Sequence, residues 1–252
     1  MIRLSHFNKN ILSLLSIFIL LGCNSDDSIE ENEEILINNP ISDYWDDARE
    51  IYQLEIIDDI NHFNYALEDL DSLQILEIAK NIRSVDQLSI PEQDSIFNQY
   101  QIKPNTGYRR TRLTFKAVDN GSIGAQETIN LILPSSNANE LYNFYSTNPF
   151  VFTQSAPIIT NWVDIEFLEN KNQIYLKNRL ENISFIPQVI VSPSIAGTSS
   201  KIKFERFPNF NIITFRMGWG DCFSGCITKR YWKFETTEQS AVLIDSYFAN
   251  DF

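Results

Sequence analysis

The hydrophobic residues change their spacing near residue 105, and that change restricts the chain to folds that combine helices with antiparallel strands. Upstream, Trp45, Ala48, Tyr52, Ile56, Ile60, Phe63, Leu67 and Leu70 recur every three or four positions, the stripe of one amphipathic helix. Ser42 or Asp43 is placed to cap its start. A second helix is expected over 73–82, where Ile75, Leu76, Ile78, Ala79 and Ile82 are apolar. A third is expected from Pro91 to about Tyr100, because proline suits a first helical turn. Downstream the period shortens to two. Leu113, Phe115 and Ala117 alternate with Arg112, Thr114 and Lys116, a strand buried on one face.

Asn120-Gly121 then supplies turn chemistry. Further strands are expected near 127–133, 162–168, 173–178, 184–191, 201–206, 210–217, 227–235 and 241–248. One helix interrupts them near 138–146, where Asn137 and Glu140 have capping-box spacing. Short turns join the last three strands, which read as a meander. The expected fold is α+β: a helical segment, 41–104, packed on an antiparallel sheet or sandwich, 105–252, as one globular unit.

The N-terminus carries an address. Arg3 and Lys9 precede the apolar run Ile11–Leu21, too short to span a bilayer as a helix of about 20 residues. Residues 1–22 therefore read as a signal peptide. The run ends in Leu20-Leu21-Gly22-Cys23, which is similar to the lipobox of bacterial lipoproteins, although Leu21 is larger than the commonest residue there. The resemblance implies cleavage before Cys23, a lipid on its thiol and acylation of its new amine. Two or more acyl chains hold a domain on a membrane stably. From Cys23 to Pro40 the chain reads as an acidic tether: Asp26, Asp27, Glu30, Glu31, Glu33 and Glu34 have no base among them, so the segment repels itself and cannot bury a core. Acids just after the lipidated cysteine also resemble the export signal of surface lipoproteins in the Bacteroidota. That implies an outer-membrane anchor, with the cell surface favoured over the periplasmic face.

The chain has 33 acids against 20 bases and a net charge of −13, which argues against a nucleic-acid partner. Beyond Cys23 the only cysteines are Cys222 and Cys226, in "GWGDCFSGCITKRYW". Phe223-Ser224-Gly225 fits a three-residue hairpin loop with Gly225 in the left-handed position. In that register Cys222 faces Cys226, Trp219 faces Lys229, Met217 faces Tyr231 and Arg216 faces Trp232. Ile213, Phe215, Met217, Trp219, Ile227 and Tyr231 then share the buried face, with Arg216, Arg230, Trp232 and Phe234 on the other. Arg216 would stack on Trp232. Facing cysteines in an oxidising envelope should form a disulfide. Zinc would need more ligands and no histidine lies near. A thiol oxidoreductase usually separates its cysteines by two residues, beside a helix. The stretch resembles one found in uncharacterised secreted bacterial proteins, with the pattern G-W-G-D-C, two residues, G-C-I, then basic and aromatic residues ending in W. Where those proteins often carry histidine, this chain has Arg230, so the resemblance supplies no mechanism.

Other candidates are sparse. His62, the only histidine after Cys23, reads as exposed on the acid-rich first helix. Asp164 and Glu166 alternate on a strand, as the two carboxylates of a glycoside hydrolase would, but acids on a solvated strand face are commoner. Asp119 and Asp221 lie in loops without the ligand ladder of a calcium site. No cofactor or metal is expected. The reading is a lipid-anchored, non-enzymatic binding or assembly module. Its partners would be the membrane, through Cys23, and a protein or glycan meeting Arg216, Arg230 and Trp232. The alternative is a carboxylate-dependent hydrolase acting on glycans.

Overall fold

The computed structural model describes residues 40–104, 111–153, 161–191 and 199–250. The expected signal peptide, Cys23 and all of the expected acidic tether except Pro40 lie outside them. Ile41–Phe252 form one compact unit. Among the described residues it is an α+β fold with six helices and two antiparallel four-stranded sheets. Among the described residues, no helix is long and apolar enough to cross a membrane.

Helix α1 spans Trp45–Asp58 after a 3-10 turn, Ile41–Tyr44. It buries Ala48, Ile51, Tyr52 and Ile56. Its N-cap is Tyr44, with no side-chain capping bond, so neither Ser42 nor Asp43 caps it. The expected continuation to Leu70 does not form. The Asp59 carboxylate accepts the Asn61 N–H, and His62 Nδ1 accepts the Asn64 N–H. These local bonds offer the backbone an alternative to the helical ladder. Ile60, Phe63 and Leu67 are consequently 72%, 63% and 53% exposed, off the stripe they were expected to share. Helix α2, Ser72–Asp86, is capped by Asp71, which accepts from the N–H groups of Leu73 and Gln74. Helix α3, Pro91–Asp94, runs into a π turn, Ser95–Gln99.

The first sheet has strands β1 Arg112–Lys116, β2 Phe150–Thr153, β3 Trp162–Phe167 and β4 Gln188–Val191, in the order β2-β3-β1-β4. Its apolar face carries Leu113, Phe115, Phe150, Val163 and Ile165. Helices α4 Ile123–Ile129, α5 Glu140–Thr147 and α6 Gln173–Leu180 contribute to the same core. Two of these elements were expected to be strands. Ser122 accepts from Ala125 N–H and Asn172 from Ile174 N–H, so both segments begin with a working N-cap. Short apolar runs do not separate helix from strand by period alone. The cap of α5 is Asn139, bonded to Leu141 N–H, instead of Asn137. Glu140 reaches across to the Ser184 backbone and hydroxyl. Strand β2 was not foreseen.

The second sheet is a meander of β5 Ser200–Arg206, β6 Asn211–Trp219, β7 Thr228–Thr236 and β8 Ala241–Asn250 in chain order. Ile202, Phe204, Ile213, Phe215, Trp232 and Phe234 pack with α1, α2 and Ile96 as a second core. A buried amide network ties α1 to the start of α6. The Gln53 side chain accepts from Gln173 N–H at 3.1 Å, and the Asn172 amide donates to the carbonyls of Asn64 and Leu67 at 2.6 and 2.9 Å. Buried polar groups arranged this way satisfy one another and fix the α1–α6 contact.

Candidate functional site

The cysteine hairpin is one residue out of the expected register. Phe215 faces Trp232, Arg216 faces Tyr231, Met217 faces Arg230, and Trp219 faces Thr228. Pairing stops at Trp219 and Thr228, and a longer loop containing the 3-10 turn Cys222–Ser224 replaces the three-residue turn. Gly225 has φ +121° and Cys226 φ +63°, so the left-handed region is used twice. A one-residue slip moves side chains to the opposite face. Trp232 and Phe234 thereby enter the core, both fully buried, whereas Ile227 is left half exposed. Burying two large rings against Phe215 and Ile213 outweighs the tighter turn.

Cys222 and Cys226 are joined as a disulfide. The loop folds Cys226 down onto β6: a Cβ on Gly218 would stand 2.5 Å from its Sγ. The glycine at 218 thus makes room for the sulfur. Asp221 holds the loop by accepting from Ser224 Oγ at 3.0 Å, and Asp119 similarly bonds Gly121 N–H. Both acids serve turns.

The expected contact trio does not form one surface. Trp232 is in the core, and Arg216 and Arg230 project from opposite faces of the sheet. Arg230 stacks on the Trp232 ring at 4.6 Å and lies 5.2 Å from Phe248, replacing the expected Arg216–Trp232 stack. Arg216 belongs to the outer face. There Lys201, Arg216, Tyr231 and Tyr247 stand in one row across four strands. Lys203, Thr214, Lys233 and Asp245 form the next row, and Lys229 flanks the first. Tyr231 and Tyr247 stack with centroids 5.0 Å apart and planes at 16°. This face gathers five bases about a flat aromatic pair, with Glu205, Glu235 and Asp245 as its acids, in a chain whose net charge is −13. Neighbouring cations of one sign raise a local positive potential.

The carboxylate pair foreseen on β3 is committed elsewhere. Asp164 is buried, with one oxygen bonded to Arg112 and the other accepting from Thr114 Oγ1 at 2.5 Å. Glu166 accepts from Thr111 Oγ1 at 3.2 Å. Asp164 is thus held by an ion pair and a hydroxyl, and Glu166 by a second hydroxyl.

A second place went unforeseen. Helix α1 and strand β5 enclose a cavity of about 330 Å³ lined by residues that include Ile51, Leu54, Glu55, Asp58, Lys201 and Phe204. Arg206 donates to Glu55 Oε2 at 2.7 Å and to Glu77 Oε2 at 3.0 Å. The other Glu55 oxygen is buried and finds no hydrogen-bond partner among the described residues. Burial pushes the Glu55 carboxyl above its ordinary value, and Arg206 only partly opposes this. His62 also lines the cavity. It sits in the turn after α1, not on the helix, edge-on to Tyr52 at 5.4 Å and stacked on Phe63. Burial holds its imidazole below the usual value. Glu55 and Arg206 lie far apart in sequence, so no local spacing marks them. Among the described residues, no group of three or more His, Cys, Asp and Glu side chains is placed to hold a metal.

No family model, curated protein or solved structure matches the chain.

Proposed function

We propose that the protein is a lipid-anchored envelope module, tethered through Cys23 to the outer membrane and displayed at the cell surface, that binds an anionic glycan without catalysis. The lipobox-like Leu20-Leu21-Gly22-Cys23 and the acids behind it support the anchor. The observation that carries the binding reading is the segregation of charge on the outer face of the C-terminal sheet. Lys201, Arg216, Lys229 and Lys233 surround the stacked Tyr231 and Tyr247. A flat aromatic pair offers a platform for a sugar ring, and the ammonium and guanidinium groups meet its carboxylates or sulfates.

The test is retention of the full chain on immobilised sulfated or uronate polysaccharide across a salt gradient, beside a neutral glucan. Wild type should elute late, and ahead of its position at low salt as ions screen the contact. Lys233→Glu and Tyr247→Ala should each weaken retention about tenfold, roughly the loss expected for one charged or stacking contact of about 1.4 kcal/mol. Equal retention of the variants and wild type would remove this face from consideration. For the anchor, fatty-acid labelling should mark wild type and spare Cys23→Ala.

A further inference from the structure

We propose that the cavity between α1 and β5 binds a small zwitterion, a free amino acid or short peptide, with its ammonium toward Glu55, Asp58 and Asp59 and its carboxylate toward Lys201. The walls of this cavity are oppositely charged. Glu55, Asp58 and Asp59 come from the end of α1 and the turn behind it, and Lys201 and Lys203 from the facing edge strand. The C-terminal end of α1, at Asp58, adds the negative pole of its helix dipole to the acidic wall.

The free valences of the site point the same way. Arg206 is already shared between Glu55 and Glu77, and the Lys203 ammonium is held by Glu205 at 2.8 Å. Lys201 makes no ion pair among the described residues and is exposed at the sheet edge. On the other wall, Glu55 Oε1 is buried with no donor among the described residues. An ammonium supplies three donors and no acceptor, which suits that oxygen and the neighbouring aspartates. Between the charged walls lie Ile51, Leu54, Ile202 and Phe204, an apolar floor for an aliphatic side chain. The volume of about 330 Å³ is at the small end of ligand pockets, which run from about 300 to 1,000 Å³. The site is distinct from the outer sheet face, apart from Lys201 and Lys203, which stand at the edge where the two meet.

The experiment is calorimetric titration of the full chain, purified in detergent, with L-leucine and glycyl-L-leucine. Their N-acetyl and C-amide forms, and glucose, are titrated alongside. One or both zwitterions should saturate the protein, and removing either charge should weaken binding at least tenfold. Lys201→Ala, at an exposed position, should weaken the free ligand at least fivefold while leaving the C-amide unchanged. Glu55→Gln should weaken the free ligand more than the N-acetyl form, and Leu54→Trp, which fills the cavity, should abolish binding. Lys233→Glu, on the outer face, should leave it intact. No saturation by either zwitterion at millimolar concentration overturns the proposal. So does equal affinity for the N-acetyl or amide forms, equal binding of glucose, or indifference to Lys201→Ala.

Discussion

The two sheets have equal numbers of strands and opposite wiring. In the C-terminal sheet each strand pairs with its successor, β5 to β6 to β7 to β8, through turns or a disulfide-closed loop. In the other, β2 pairs with its successor β3, but β1 lies between β3 and β4, and helices occupy the β1–β2 and β3–β4 connections. Local pairing closes small loops, and distant pairing closes large ones before any contact rewards it. The meander can thus be specified by neighbours, while the β2-β3-β1-β4 sheet requires its helices to bring strands together. The amide network of Gln53, Asn172 and Gln173 then joins the helix that covers one sheet to the helix that covers the other.

The largest expected effect tests the meander's register. Trp232→Ala should cost about 3–5 kcal/mol, as for a fully buried aromatic, and Tyr231→Ala on the outer face less than about 1 kcal/mol. Denaturant unfolding of both variants decides the matter. Comparable costs would mean the strand is slipped back by one residue. Next, Asn172→Ala removes a helix cap, leaves the Gln53 amide N–H without its acceptor, and leaves two carbonyls short of a donor. It should cost about 2–4 kcal/mol and separate the unfolding of the two sheets, read as two transitions by hydrogen exchange. A single transition in that variant would show that the network does not couple them.

Reducing the disulfide is a smaller perturbation. A loop this short contributes about 2 kcal/mol in the chain-entropy account. Exchange should quicken at the Trp219–Thr228 end of the hairpin and not in β1 or β3; an equal response in both sheets would contradict the local character of the meander. The smallest effect contrasts two glutamates. The Glu55 carboxyl is raised, chiefly by burial, so its folded form holds its proton more tightly than the unfolded chain. The stability this gives is present below the ordinary value of 4.5 and is lost as pH rises through the raised one. The Glu68 carboxyl is lowered, first by its hydrogen bond from Lys171 at 2.6 Å and then by Tyr175. Its contribution is present above 4.5 and is lost as pH falls through the lowered value. Against wild type, Glu55→Gln should therefore gain relative stability with rising pH and Glu68→Gln lose it. Slopes of the same sign would contradict one of the two environments.

The same contrast governs what could be read in advance. Strands β5 to β8 were placed within about two residues, because alternation such as Ile202, Phe204 and Ile213, Phe215 is strong and turns mark the ends. Beside the other sheet, the segments at 127–133 and 173–178 read as strands in the sequence, although Ser122 and Asn172 precede them as helix caps. Neither run is long enough for its apolar period to decide. The Glu55–Arg206 pair had no signal at all, since each residue looks like an ordinary surface charge in its own segment.

By itself the sequence determined the α+β class, the four-stranded run at the C-terminal end in outline, and the cysteine pair. These depend on local period, turn residues and two sulfurs four positions apart. The tertiary structure decided which face Trp232 occupies, where α1 ends, and that Glu55 meets Arg206 beside Lys201. The physical reason is that these depend on burial. A large ring, a helix stripe and a carboxylate each take their place according to what covers them, and the covering groups come from distant parts of the chain.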